Sequence, residues 1–159
     1  MTDQEKITNY ETMTHIQNVQ RLLVSAAQGL LHRGLDHDAS KLEDPELATF
    51  VEFTPKLKGL TYGSPEYKAC TAAMGPALQH HYASNRHHPE HHEHGVSGMT
   101  LIDLLEMFCD WKAATMRHDD GDIFKSIKIN AKRFGMPQML ELILANTARA
   151  FQIEMEDSP

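Results

Sequence analysis

Apolar residues recur at three- and four-residue spacing along this chain, and no stretch alternates convincingly with period two. That pattern excludes a sheet and predicts an all-α fold. Val19, Leu22, Leu23, Ala26 and Leu30 form one stripe of a first helix over 3–33. A short helical turn and a restart follow in "LDHDASKLEDPE", with Asp44 as cap and Pro45 in the first helical position. Phe50, Phe53 and Leu57 carry that helix to Gly59. Ser64 and Pro65 open another, expected over 65–84. Residues 85–98 read as a loop. The Thr-x-x-Asp of "TLID" is a capping box that opens a helix from 100 to about 118, with Leu104, Phe108, Trp111 and Thr115 as its apolar stripe. Helices near 121–134 and 137–155 complete six to seven, and the tail "EMEDSP" is expected to fray.

At 159 residues and 41% hydrophobic, the chain suits one domain over 1–159 with an ordinary core. No apolar run reaches the roughly 20 residues of a membrane span, so a cytoplasmic protein is expected. A net charge of −7 gives no basic footprint for nucleic acid. Cys70 and Cys109 stand alone and read as small buried residues in a reducing compartment.

Histidine is the anomaly. There are 11, and five fall within "NRHHPEHHEHG" at 85–95. Imidazole is the commonest metal ligand among side chains. His15 sits four and seven residues before Val19 and Leu22, so it shares their stripe. His37 and Asp38 adjoin in "HDASK". On a regular helix they would diverge by about 100°, so reaching one ion together requires a tight turn. Asp110 shares a helical face with Glu106 and Arg117. His81, Asn85, His87, His88, Glu90 and His91 follow one another closely, and His92 and His94 read as solvated. Asp103 is explained by its capping box and is left out of the site. Imidazoles and carboxylates from several helices suit zinc, manganese, iron, cobalt or nickel rather than calcium.

The order His15, His37-Asp38, Asp110 resembles the HD-domain superfamily of all-helical, metal-dependent phosphohydrolases, and "HDASK" looks like its His-Asp signature. The resemblance covers about residues 10–118, the expected metal-site segment, with C-terminal helices over about 121–155 beyond it. A closer likeness is to a bacterial and phage family without an assigned activity. It shares "HDASK" with a following Glu46, the "H...N.HH.E" pattern of His81 to Glu90, and the "EM..DW..A" pattern of Glu106 to Ala113.

The superfamily resemblance implies an HD-like bundle with His15, His37, Asp38 and Asp110 as ligands of one divalent ion. His81, His87 and His88 are candidates for a second. It implies a phosphate ester as substrate, a nucleotide above all, attacked by metal-activated water. Lys41 and Arg117 are then candidates to hold phosphoryl oxygens, with Lys112 behind them. Glu46 would transfer a proton and Glu106 would orient a ligand histidine. Lys125, Lys128 and Lys132 line one helical face and read as solvated surface. Two rivals remain: an HD-like di-iron oxygenase, and a non-catalytic helical binding protein that keeps a metal. Oligomeric state stays open.

Overall fold

The computed structural model describes residues 1–117 and 121–156, with side chains described up to residue 151. Position 118, near which the fifth helix was expected to end, and residues 157–159 of the tail expected to fray lie outside the described residues. Among those residues the fold is all-α, with seven helices and no strand. The helices are α1 (Asp3–Asp36), α2 (Leu47–Lys58), α3 (Pro65–Ala73), α4 (Gly75–Ser84), α5 (Leu101–Thr115), α6 (Ile123–Phe134) and α7 (Gln138–Glu156). Short 3-10 turns occupy Ala39–Leu42, Pro89–His91 and Gly95–Gly98. No helix among them is long and apolar enough to cross a membrane.

The chain packs as two compact units, Met1–His37 and Asp38–Pro159. The first unit is α1. A capping box starts it: the Thr2 hydroxyl accepts from the Glu5 amide at 3.2 Å, and the Glu5 carboxylate accepts from the Thr2 amide. None of its 34 residues is buried. The stripe Val19, Leu22, Leu23 was expected to face a core, and each of these side chains is instead exposed. Helical spacing marks an amphipathic face but does not supply the surface that covers it.

The second unit holds the core. Met107, Phe108 and Trp111 of α5 pack with Ile123 and Ile127 of α6 and with Leu144 and Ala148 of α7. On α6 the apolar positions recur every four residues and are buried, while Lys125, Lys128 and Lys132 are exposed, as a solvated face requires. Asp122 caps its start by accepting from the Phe124 and Lys125 amides, and Gly135 in the left-handed region (φ 60°) ends it.

Two local expectations are corrected. Residues 65–84 are not one helix: Gly75 (φ 50°) followed by Pro76 breaks them into α3 and α4. A positive φ stops the right-handed spiral, and the proline ring disfavours helix immediately before it. Asp44 does not cap α2, which begins after Glu46 with no side-chain cap. The cysteines also differ from expectation, since Cys70 is half-buried and Cys109 exposed.

Candidate metal centre

Three segments of the second unit meet at Asp38. The turn Ala39–Leu42 packs against α2 and α4, and α4 packs against the turn Pro89–His91. Asp38 starts the first turn in the left-handed region, φ 58° and ψ 11°. A non-glycine residue seldom sits there, and such strain persists only where surrounding contacts hold it. Its consequence is directional: one carboxylate oxygen, Oδ1, lies 3.2 Å from His81 Nε2 and 3.6 Å from His87 Nε2. The other, Oδ2, receives the Lys41 ammonium.

His81 lies on α4 and is almost wholly buried. His87 and His88 enter after Asn85 leaves the helix. The Nε2 atoms of His88 and His81 stand 3.0 Å apart. One ligand atom from each of Asp38, His81, His87 and His88 lies within 4.8 Å of all the others. A tetrahedral ion with bonds of about 2.05 Å sets its ligands roughly 3.3 Å apart. The separations of 3.0, 3.2 and 3.6 Å bracket that value.

Carboxylates stand behind two of the rings. Glu46 has no exposed surface, and its oxygens meet His80 Nδ1 at 2.7 Å, His81 Nδ1 at 2.9 Å and the Ser40 hydroxyl at 3.0 Å. Glu106 Oε1 lies 3.1 Å from His87 Nδ1. A carboxylate can only accept, so Glu46 holds a proton on His81 Nδ1 and leaves the His81 Nε2 lone pair turned inward. His81 Nε2 therefore faces the acceptor Oδ1 of Asp38. Lone pairs converging at such distances need a proton or a cation between them. Burial drives the His88 pKa down to about 3, helped by His87 and His81, so this ring is neutral at physiological pH. Neutral imidazole is the form that binds metal. The donor set fits a divalent transition ion.

Aromatic packing fixes the rings. Phe50 meets His81 edge-on at 5.3 Å, and Tyr82 lies 4.9 Å from His88. Two arginines pin the loop. Arg86 donates to both oxygens of buried Asp103 at 3.2 and 3.1 Å. Arg133 of α6 reaches Glu90 at 2.6 Å. Within the loop, His92 Nε2 donates to the Arg86 carbonyl at 2.9 Å.

The remaining sequence candidates are placed as follows. An Asp110 carboxylate oxygen lies within 4.8 Å of one of Asp38. His37 is half-buried, caps the end of α1 and directly precedes Asp38. His15 is exposed on α1. Arg117 is exposed just beyond α5, and Lys112 is half-buried. His81, His87 and His88, candidates for a second ion from the sequence, are thus gathered around Asp38 itself. Ser40, His80, Arg86 and Arg133 were not among the sequence candidates, and Asn85 was noted only for its spacing after His81. Only "HDASK" and the "H...N" spacing could have drawn attention to Ser40 and Asn85, where Asn85 Nδ2 donates to the Ser40 hydroxyl at 2.8 Å.

A helical unit carrying a buried, carboxylate-backed histidine cluster defines a class of protein able to hold a metal ion. The pattern of a family of unknown function (DUF5662) matches residues 4–154, and the chain belongs to that family. Neither a curated protein nor a solved structure matches it.

Proposed function

We propose that the chain is a metal-dependent phosphohydrolase whose centre is Asp38, His81, His87 and His88. The observation that carries the metal is the convergence of lone pairs: His81 Nε2 lies 3.0 Å from His88 Nε2 and 3.2 Å from Asp38 Oδ1. The substrate class, a phosphate ester and a nucleotide above all, rests on the HD-superfamily resemblance and on the cation beside the centre. When bound, a divalent ion supplies a water of lowered pKa and a charge that polarises a phosphoryl oxygen.

The chain's own residues do the rest. Glu46 holds His81 with its Nδ1 proton in place, and the Glu106 carboxylate stands beside His87. Glu46 was expected from sequence to move a proton. Its complete burial and its three donors favour a holding role instead. Lys41 Nζ, bonded to Asp38, keeps further N–H donors for a phosphoryl oxygen. Arg117 remains a candidate for the same task. His15, His37 and Asp110 remain ligand candidates through the resemblance.

One observation favours a second reading. Asp38 with three histidines already makes four ligands, a closed tetrahedral set of the kind that structural zinc sites use. The chain would then be a non-catalytic protein with a structural metal.

Untagged chain purified without chelator, assayed for metal content and then for phosphate release from nucleotides with manganese, zinc, cobalt or nickel, tests both. We expect about one equivalent of metal and hydrolysis of at least one nucleotide. Metal without hydrolysis supports the structural reading, and absence of metal overturns both.

A further inference from the structure

Asp38 divides its carboxylate between two kinds of partner. Oδ1 faces the imidazoles of His81 and His87, and Oδ2 faces the Lys41 ammonium. Three features keep the ammonium there. Lys41 is three residues along the turn that Asp38 starts, and the Lys41 amide donates to the Asp38 carbonyl at 2.9 Å. Its Nζ also lies 5.0 Å from the Phe50 ring centroid, within cation–π range. The same Phe50 ring packs on His81, so one aromatic side chain borders both the ammonium and the centre.

We infer that Lys41 is a built-in competitor for the metal: its ammonium occupies Asp38 Oδ2, confines Asp38 to one-oxygen ligation and weakens metal binding. The physical argument has two parts. A carboxylate oxygen that bonds an ammonium has less charge to give a second cation, and the ammonium repels that cation directly. A carboxylate with one oxygen held by an ammonium also cannot close on an ion as a two-oxygen ligand. A centre built for the tightest retention would not place a lysine here. A centre in which the ion exchanges, or in which an anionic ligand draws the lysine away as it binds, would. The inference rests on the metal reading proposed above and adds to it a control on affinity at the same site.

The experiment is competition of the chelator-stripped full chain against a fluorescent zinc indicator, repeated with manganese. The variants are Lys41→Met, Lys41→Gln and Lys41→Arg. We expect the two uncharged variants to bind roughly tenfold more tightly, about 1.4 kcal/mol, and Lys41→Arg to stay near the parent. Equal or weaker binding by both uncharged variants, with helical content unchanged by circular dichroism, overturns the inference while leaving the metal centre standing. Lack of binding by the parent chain overturns the centre and the inference with it.

Discussion

Glu106 on α5 stands 3.1 Å behind the Nδ1 of His87, as a brace from a different segment of the chain. A carboxylate at that distance raises, through its charge, the ring's basicity towards a metal on the far nitrogen. Glu106→Gln keeps the shape and removes the charge. Metal affinity should fall about 10- to 100-fold, the usual worth of such a partner. Calorimetric titration with zinc would read it, and an affinity equal to that of the parent would remove Glu106 from this role.

Asp38 combines a ligand oxygen with a left-handed backbone, φ 58°. Asparagine tolerates that conformation nearly as well as any side chain other than glycine. Asp38→Asn should therefore leave the metal-free fold in place while lowering metal affinity more than about 100-fold, beyond the usual worth of an outer partner. Circular dichroism and elemental analysis on the same sample separate the two effects. Retained metal stoichiometry would contradict the assignment of Asp38.

Burial, then the neighbouring His87 and His81, push His88 from its ordinary value of 6.5 to about 3. The unfolded chain takes up this proton near pH 6.5 and the folded chain only near pH 3. Between those values the unfolded state holds more protons, so falling pH favours unfolding. The stability this neutral ring contributes is complete above pH 6.5 and diminishes from there towards pH 3. In the metal-free chain, His88→Gln should flatten the dependence of melting temperature on pH across that window. In the loaded chain, acidification below about pH 6 should release metal, because imidazole ligands must be neutral.

Asp103 is fully buried, which by itself would raise its pKa, but the Thr100 amide and hydroxyl and the Arg86 guanidinium outweigh burial and hold it well below the ordinary 3.8. The folded carboxylate thus protonates at lower pH than the unfolded one. Its contribution is present above about pH 4 and is lost as pH falls through the depressed value. Asp103→Ala should cost about 1–3 kcal/mol at neutral pH through lost capping and an unpaired network. The melting-temperature gap between variant and parent should narrow only below about pH 4. A gap independent of pH down to pH 2 would contradict the role given to the charge.

The helical class was legible because spacing and caps are local. "TLID" holds its own start signal, and Thr100 and Asp103 bond each other as the capping pattern demands. The site was legible as a set of residue types, and less so as a set of roles. His81, His87 and His88 lie close in sequence, but their approach to Asp38 depends on a turn some forty residues earlier. Glu46 and Glu106 act on rings far along the chain, which composition cannot express. Arg86 with Asp103 and Arg133 with Glu90 are equally non-local pairs. The break at Gly75 was in plain view as Gly-Pro, but an otherwise helical context concealed it.

Arg133 joins two parts of the molecule that otherwise answer to different forces. It extends from α6, whose opposite face is fixed by Ile127 and Ala131 in the apolar interior, and its guanidinium grips Glu90, two residues beyond His88. The histidine loop is therefore moored to oil-like packing as well as to its own polar bonds. A sideways creep of that one helix, of the kind an overfilled interior produces, would tug on the imidazoles without touching any of them.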